Sequence, residues 1–241
     1  MIVLRILIAI IIIIIYLALL IIIPKKYIYL LSQYASKLLL FTCNLTNITV
    51  MNRHLFNDYL AKANQTGKAF IIISNHTSLW DGIILTSIFG KLRYLAAKSA
   101  KNVFFGTEYC LNKLDCLFVE KENTVSKIKK NLKSKNVLVI FPDAMGQIPL
   151  KQYIADFKTG AFAVNCDILP IIIKYDNYTI DPTFFWYKKE NPFHAWTKIL
   201  LNDNINIKVK VLPLLKSKKG RDISKFKDKV HEYMSKEYKD L

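Results

Sequence analysis

Residues 69–81 read AFIIISNHTSLWD, and this stretch predicts how the rest of the chain is organised. Its first half is a short run of apolar, mostly β-branched residues, which is typical of a strand buried on both faces of a sheet. Its second half contains His76 and, five positions later, Asp81. Five residues of continuous helix would rotate these side chains by about 500°, so they would not share a helix face. They meet only if His76 lies in the turn after the strand and Asp81 lies in the first turn of the next helix.

Two interpretations of this turn stay open on spacing alone. In the structural one, Ser78 is the N-cap of the helix and Asp81 its third residue, which completes a capping box and leaves His76 as a loop residue. In the functional one, Asp81 holds the neutral imidazole of His76, which acts as a general base on a hydroxyl group. Backbone N–H groups at the beginning of the helix would then stabilise an oxyanion. Metal ligation by the pair lacks a further His or Cys at ligand spacing, so no metal site is expected.

The N-terminus predicts a membrane anchor over residues 1–50. Residues 6–23 carry no charge. With its flanks the run holds about 22 apolar residues, or roughly 33 Å of helix, which matches a hydrocarbon core. It has no small-x-small cleavage site, so we expect a retained span over residues 2–23. Residues 27–45 are more polar and predict an interfacial helix or the second helix of a hairpin. Three lysines after the span against Arg5 before it favour a single-pass or monotopic protein whose catalytic domain faces the cytoplasm.

Residues 51–241 predict one α/β domain. Strand-like runs occupy residues 69–74, 93–97, 116–120, 136–141, 168–174 and 205–212. Helix-like stretches lie near residues 79–90, 99–113, 123–134 and 157–166. This alternation predicts a mostly parallel sheet flanked by helices. Apolar residues at helical spacing over residues 222–238 predict a C-terminal amphipathic helix.

Composition limits the partners of the chain. It has 35 Lys and Arg against 18 Asp and Glu, a formal net charge of +17. Such an excess permits nucleic acid, an anionic membrane surface or anionic small substrates. The chain has no zinc-finger spacing and no aromatic–basic RNA-binding run, so no nucleic acid partner is expected. The 4 cysteines form no C-x-x-C pair, which predicts reduced and mostly buried thiols.

Residues 75–81, NHTSLWD, resemble the first signature block of the PlsC-type glycerolipid acyltransferases, the family of 1-acylglycerol-3-phosphate and lysophospholipid acyltransferases. That block reads Asn-His-x-Ser-x-x-Asp, and every fixed position is present. Four later stretches resemble further blocks in the family's order: 117–121 (LFVEK), 141–147 (FPDAMGQ), 157–162 (FKTGAF) and 169–173 (LPIII). Together they extend the resemblance over most of the predicted α/β domain.

The resemblance implies a glycerolipid acyltransferase-like fold and a specific reaction. An acyl group would pass from acyl-CoA or an acyl carrier protein to the free hydroxyl of a lysophospholipid, including 1-acylglycerol-3-phosphate. His76 and Asp81 would be catalytic. Five further residues would contact substrate: Asn75, Ser78, Lys98, Lys121 and Asp143. The base and the donor supply the chemistry, so we expect no metal and no organic cofactor, and membrane lipids and the acyl donor as partners.

The third block departs from the family's usual Phe-Pro-Glu-Gly-Thr-Arg-Ser. Asp143 replaces the glutamate, and Gly146 stands where an arginine would bind phosphate through two hydrogen bonds. The change favours an acceptor with a larger head group than a bare phosphate. The alternatives are glycerol 3-phosphate as acceptor, and a catalytically inactive lipid-binding homologue.

Overall fold

The computed structural model describes residues 2–103, 106–119, 123–134, 137–143, 154–176, 205–218 and 220–241. In these ranges the strands are β1 (Ile48–Met51), β2 (Phe70–Ser74), β3 (Tyr94–Ala96), β4 (Leu117–Phe118), β5 (Val137–Ile140), β6 (Asp167–Tyr175) and β7 (Ile207–Val211). They form a single sheet in the order β1-β7-β6-β2-β5-β3-β4. Neighbouring strands are parallel except β6 and β7, which are antiparallel. The predicted mostly parallel sheet is therefore confirmed.

β2 lies inside the sheet, between β5 and β6, and all its residues are buried. Phe70 and Ile72 belong to the hydrophobic core on one face. Ile71 and Ile73 belong to the core on the other face. Burial on both faces explains why this strand is a continuous apolar run and not an alternating one.

Helices cover both faces, as predicted. They are α1 (Ile2–Ile22), α2 (Lys25–Thr42), α3 (Arg53–Thr66), α4 (Asp81–Phe89), α5 (Thr107–Lys113), α6 (Thr124–Ser134) and α7 (Ile223–Lys239). Side chains of α2, α3 and α4 enter the first core, and those of α6 and α7 enter the second. The Asp222 carboxylate accepts the Lys225 N–H at 3.1 Å and caps α7. Val230, Met234 and Tyr238 bury the inner face of that helix.

Local structure differs from the predictions at several places. β1 and α3 have no counterpart among the predicted elements, and β1 begins inside the segment assigned to the anchor. The helix predicted over residues 157–166 is wrong, because this segment contains only the 3-10 turn Thr159–Ala161. Its apolar side chains fill the second core, while Phe157 pairs with Asp143 in an isolated antiparallel bridge. Their spacing therefore reflects burial and not a helix.

The helix predicted over residues 99–113 is divided. A 3-10 helix spans Lys98–Asn102 and α5 starts only at Thr107. Gly106, between them, has a φ of 80°, in the left-handed region that favours glycine. A Cβ built there would lie 2.5 Å from Leu17 Cδ1 on α1. Glycine thus permits both the break and the close approach of α1.

The N-terminal helices α1 and α2 pack against each other, with Pro24 between them. Val3–Ile22, within α1, is long and apolar enough to cross a membrane, and among the described residues it is the only such helix. α2 also packs on α4. Five side chains of α2 nevertheless remain exposed: Tyr27, Leu30, Tyr34, Leu38 and Phe41. That this region anchors the protein in a membrane stays a prediction.

Candidate active site

Three adjacent strands bring the candidate residues together at one edge of the sheet. The turn that contains His76 follows β2, Asp143 follows β5, and Tyr175 is the last residue of β6. β5 and β6 are the two neighbours of β2, and both run parallel to it. The carboxyl ends of all three strands therefore meet, which is where open α/β sheets form their ligand sites.

His76 and Asp81 meet as the functional interpretation requires. His76 Nδ1 lies 2.9 Å from Asp81 Oδ2. The Asp81 side chain is fully buried, whereas that of His76 is 18% exposed. Because a carboxylate only accepts hydrogen bonds, the imidazole proton lies on Nδ1, and Nε2 keeps a free lone pair. The arrangement can therefore remove a proton from a group that approaches Nε2.

An aromatic stack fixes the plane of the imidazole. The ring of Phe141 lies against His76 with a centroid distance of 4.2 Å and an interplanar angle of 20°. Tyr94 continues the stack behind Phe141, with its centroid 6.1 Å from that of Phe141. The Tyr94 O–H donates to the Gly82 carbonyl of α4 at 2.9 Å. The stack therefore joins the position of His76 to the helix that begins with Asp81.

The carboxylate of Asp81 organises the whole turn. Its Oδ2 also accepts the N–H groups of Thr77 at 2.7 Å and Ser78 at 2.8 Å. Its Oδ1 accepts the O–H of Tyr175 at 2.7 Å. Asp81 thus has a hydrogen-bond donor on each oxygen, as a buried carboxylate requires.

The predicted capping box is formed in part, because the Asp81 carboxylate accepts the Ser78 N–H at 2.8 Å. α4 begins at Asp81 itself, and Trp80, not Ser78, occupies the N-cap position. The Ser78 hydroxyl accepts the Trp80 N–H at 3.3 Å. The Asp81 carboxylate turns back toward the loop, because that is where its donors lie. Ser78 is buried, and its predicted contact with substrate stays a prediction.

Asn75 extends the pairing of β2 and β6 beyond the last backbone pair. Its Nδ2 donates to the Ile173 carbonyl at 2.8 Å, and its Oδ1 accepts the Ile173 N–H at 2.9 Å. The residue is fully buried. The described contacts of Asn75 are thus with the sheet, and they fix the exit of the chain from β2. Its predicted contact with substrate stays a prediction.

Asp143, which follows β5, forms a hydrogen bond with the backbone of the turn that contains His76. Its Oδ2 accepts the His76 N–H at 2.7 Å. Its Oδ1 is buried and has no hydrogen-bond partner among the described residues. Burial raises the pKa of the Asp143 carboxyl to about 7. This carboxyl group therefore positions the backbone of His76 and presents a second oxygen without a described donor.

Lys98 and Lys121 are the remaining residues predicted to bind substrate. Lys98 begins the 3-10 helix after β3 and is exposed. Lys121 and Gly146 lie outside the described residues. The predicted roles of Lys98 and Lys121 in binding substrate stay predictions.

Sequence reasoning missed two residues that contact the pair. Phe141 was identified only as the first residue of the third block, and Tyr175 lies one residue beyond the predicted strand 168–174. An aromatic residue directly after a buried strand was the available signal for Phe141. Tyr175 lies 94 residues from Asp81 in the chain, so no local pattern pointed to it.

Comparisons with known proteins agree with this geometry. A family model described as Acyltransferase matches residues 47–174. Glycerol-3-phosphate acyltransferase 3 from Gallus gallus is 25% identical over 216 residues, which cover 83% of this chain and 45% of that protein. The protein of the same name from Xenopus laevis is 24% identical over 195 residues, which cover 74% of this chain and 41% of that protein. The chain thus matches less than half the length of these relatives.

A solved structure has a similar fold. The crystal structure of the 1-acyl-sn-glycerophosphate (LPA) acyltransferase PlsC from Thermotoga maritima superposes with a TM-score of 0.63 at 14% sequence identity. The superposition covers 90% of this chain and 80% of that one. At this identity the likeness establishes the fold.

Proposed function

The chain belongs to the acyltransferase family, and we propose that it transfers a fatty acyl group from a thioester to the free hydroxyl of a lysophospholipid. The observation that carries the proposal is the 2.9 Å contact between His76 Nδ1 and Asp81 Oδ2. It leaves the second ring nitrogen as a base in a partly exposed position. The donor is acyl-CoA or an acyl carrier protein, and the reaction needs no protein nucleophile.

One proton moves from the acceptor hydroxyl to His76, and the same proton then moves from His76 to the leaving group. His76 Nε2 takes the proton from the acceptor hydroxyl as the oxygen attacks the thioester carbonyl carbon. The carbonyl oxygen becomes an oxyanion in the tetrahedral intermediate. When that intermediate collapses, the carbon–sulfur bond breaks and the imidazolium returns the proton to the leaving thiolate. The products are a new ester and a free thiol, and the base is regenerated.

Asp81 supports both halves of this cycle. It holds the Nδ1 proton, so that the lone pair of the imidazole lies on Nε2. Its negative charge stabilises the imidazolium that forms when the hydroxyl loses its proton. The N–H groups of Thr77 and Ser78 and the O–H of Tyr175 satisfy the oxygens of this buried side chain.

The oxyanion needs donors that are not already used. The N–H groups of His76, Thr77 and Ser78 are bonded to the carboxylates of Asp143 and Asp81. The N–H groups that remain available to stabilise the oxyanion are therefore those at the beginning of α4, such as that of Gly82. The partial positive charge at the N-terminus of a helix favours an anion at this position.

The head group of the acceptor is inferred from the third block. Gly146 supplies no guanidinium group there, which disfavours tight binding of a bare terminal phosphate. Lys98 and Lys121 would attract the phosphodiester of a lysophospholipid as point charges. Glycerol 3-phosphate is the second candidate acceptor, because the curated relatives quoted above are named for it.

We also propose that α1 and α2 attach the protein to a membrane, as a single-pass or monotopic anchor. Support comes from their exposed apolar side chains. On α2 these residues recur every three or four positions and form one stripe. Lys26 Nζ lies 4.7 Å from the ring centroid of Tyr27, and Lys37 Nζ lies 5.6 Å from that of Tyr34. Paired aromatic and cationic groups of this kind suit the membrane–water boundary. The lysines after α1 favour a cytoplasmic active site.

An acceptor panel tests the proposed function. Membranes that contain the protein are incubated with labelled acyl-CoA and one acceptor at a time: lysophosphatidylcholine, lysophosphatidylethanolamine, lysophosphatidic acid or glycerol 3-phosphate. Membranes with His76→Ala provide the background. We expect His76-dependent product with at least one lysophospholipid. Product with glycerol 3-phosphate alone would establish the second candidate, and no His76-dependent product with any acceptor or with an acyl carrier protein donor would contradict both.

A further inference from the structure

The two oxygens of the Asp81 carboxylate have different partners. Oδ2 meets His76 and the two backbone N–H groups of the turn. Oδ1 accepts the O–H of Tyr175 at 2.7 Å. This oxygen is not the one that meets the imidazole, so Tyr175 neither takes nor gives a proton in the transfers described above. Tyr175 is one residue beyond the part of the chain that the family model matches.

The Tyr175 hydroxyl is held rigidly. The residue ends β6 and is only 2% exposed. Two positions earlier, both backbone groups of Ile173 are bonded to the Asn75 amide. These bonds fix the end of β6 against the turn that carries His76. The Tyr175 hydroxyl therefore reaches Asp81 from a part of the sheet that is hydrogen-bonded to the turn containing His76.

The Tyr175 hydroxyl also remains protonated. Burial, with the nearby Asp81 charge as a second cause, raises the pKa of Tyr175 well above its ordinary value. It is thus a neutral donor throughout the working range of an enzyme. A hydrogen bond from a neutral donor to a buried carboxylate is stronger than one between two neutral groups.

We propose that Tyr175 is a positioning residue of the acyl-transfer site, which acts through Asp81 and which sets how firmly the His76–Asp81 pair holds a proton. The inference rests on the proposed function. The hydroxyl fixes which carboxylate oxygen faces the imidazole, and it draws negative charge away from that oxygen. Without it, the Asp81 carboxylate is held through Oδ2 alone, and more of its negative charge falls on the contact with His76. The pair then binds a proton more tightly, and the imidazole remains protonated to higher pH.

The titratable groups that face the pair come from three strands. Asp143 lies at the backbone of His76 after β5, Tyr94 of β3 lies behind Phe141, and Tyr175 ends β6. Within the described residues, Tyr175 is the one of these three whose side chain is bonded to the Asp81 carboxylate. Asp143 and Tyr94 are unchanged in a Tyr175 variant, so their effects are common to both proteins. A shift of the pH profile in that variant therefore reports on the Tyr175–Asp81 contact.

The first test is Tyr175→Phe, which removes only the hydroxyl. We expect kcat to fall by about 10- to 100-fold, the range that loss of one hydrogen bond to a charged group produces, with KM for the acceptor unchanged. We also expect the acidic limb of the kcat profile to move to higher pH. Tyr233→Phe is the matched control, because Tyr233 is another tyrosine of the C-terminal helix α7 and packs on the second core. It should leave both kcat and the pH profile as in the wild type.

The second test keeps the side chain and changes only its acidity. Replacement of Tyr175 by 3-fluorotyrosine makes the hydroxyl a stronger donor, so the acidic limb should move to lower pH, opposite to the Phe variant. If Tyr175→Phe does not fold, the 3-fluorotyrosine variant alone tests the inference. An acidic limb that stays at its wild-type pH in every folded variant would overturn the inference, since a merely structural role moves stability alone. His76→Ala is measured in parallel: if it remains active, the proposed function fails, whereas if it is inactive and the Tyr175 variants are normal, only this inference fails.

Discussion

His76 lies between two carboxyl groups whose surroundings differ. Asp81 meets the imidazole and accepts three further hydrogen bonds, from Thr77, Ser78 and Tyr175. Asp143 accepts the His76 N–H on one oxygen, and the other has no partner in the described part of the chain. Environments that differ in this way give two carboxyl groups different tasks. The Asp81 side chain meets the imidazole, and the Asp143 side chain positions the backbone of His76.

The raised pKa of Asp143 predicts a pH dependence of stability. A carboxyl group whose pKa is near 4 in the unfolded chain and about 7 in the folded protein binds more protons when folded. Folding is therefore favoured at low pH, and this group destabilises the protein progressively as pH rises from about 4 to about 7. Asp143→Asn keeps an acceptor for the His76 N–H but does not titrate. We expect the free energy of unfolding of the variant to exceed that of the wild type by on the order of 4 kcal/mol at most above pH 7, and the two to converge at pH 4.

Chemical denaturation in detergent at pH 4, 6 and 8 measures this difference. Asp156→Asn is the control, because Asp156 is an exposed carboxyl on the neighbouring segment. A difference between Asp143→Asn and the wild type that stays constant across the three pH values would show that Asp143 ionises in the folded protein as it does in the unfolded chain.

At the scale of single residues, the sequence predicts contacts between residues that lie close together along the chain. His76 and Asp81 are five residues apart, and a strand followed by a helix leaves them few ways to meet. Tyr175 and Phe141 reach the same turn from β6 and from the end of β5, and only the order of the strands in the sheet brings them there. The hydrogen bond from the Ser78 N–H to Asp81 is as local as the contact between His76 and Asp81, and the predicted capping box anticipated it. The donors that attract the Asp81 carboxylate include Tyr175, which no local pattern indicates.

At the scale of the elements, polar and close contacts join the N-terminal hairpin to the catalytic domain. The Tyr16 hydroxyl of α1 forms a hydrogen bond with Cys110 Sγ of α5 at 3.4 Å. Lys25 forms an ion pair with Asp115 at 2.8 Å. Gln33 of α2 donates to the Ser87 carbonyl of α4 at 3.2 Å. Because α4 begins with Asp81, the hairpin is bonded to the helix that carries the carboxylate in contact with His76.

The close approach of α1 to α5 is testable at Gly106. Gly106→Ala introduces a left-handed alanine, which costs about 1 kcal/mol, and a Cβ that collides with Leu17. Gly67→Ala is the matched control, since Gly67 has a φ of 66° but no atom within 4 Å of an added Cβ. We expect Gly106→Ala to lower the free energy of unfolding by roughly 1 kcal/mol more than Gly67→Ala. The excess should vanish in a Leu17→Ala background, and an excess that persists there would place its cause elsewhere.

The elements differ in how well the sequence predicts them. The strands predicted over residues 69–74 and 168–174 were found because both cores bury them and their apolar runs are continuous. α3 was overlooked although Leu55, Phe56, Tyr59, Leu60 and Ala63 follow a helical spacing and pack on or within the first core. The segment 157–166 shows a similar spacing but forms no helix, since its side chains are buried from an irregular backbone. Periodicity reports which residues are buried, and a short segment can bury them in more than one conformation.

At the scale of the whole molecule, the N-terminal hairpin contacts the candidate active site through α4. α2 packs on α4, and the outward side of the hairpin is apolar. Insertion of that side into a membrane would hold the candidate active site close to the lipid surface, where the proposed lysophospholipid acceptor would lie. The sheet and its flanking helices could be predicted from the alternation of patterns along the chain. The packing of the hairpin on α4 could not, because it depends on side chains from distant segments.

The proposed membrane anchor leads to a prediction about extraction of the protein from membranes. We expect the protein to stay with the membrane pellet after washing with 1 M salt and after washing with alkaline carbonate, because apolar burial is insensitive to both. Immunoblots of pellet and supernatant measure the outcome. Release by salt would mean that the lysine excess, which gives the chain its net charge of +17, holds it at the surface by charge alone.

The measurement that tests the central claim most directly is the rate of ester formation by His76→Ala, compared with His54→Ala in the same membranes. His54 is an exposed histidine of α3, so its replacement controls for the loss of an imidazole elsewhere. We predict that His76→Ala lowers kcat by about 100-fold or more, the contribution of a positioned general base, while its unfolding transition remains cooperative and His54→Ala retains wild-type activity. Equal rates for the two variants would contradict the assignment of His76 as the base.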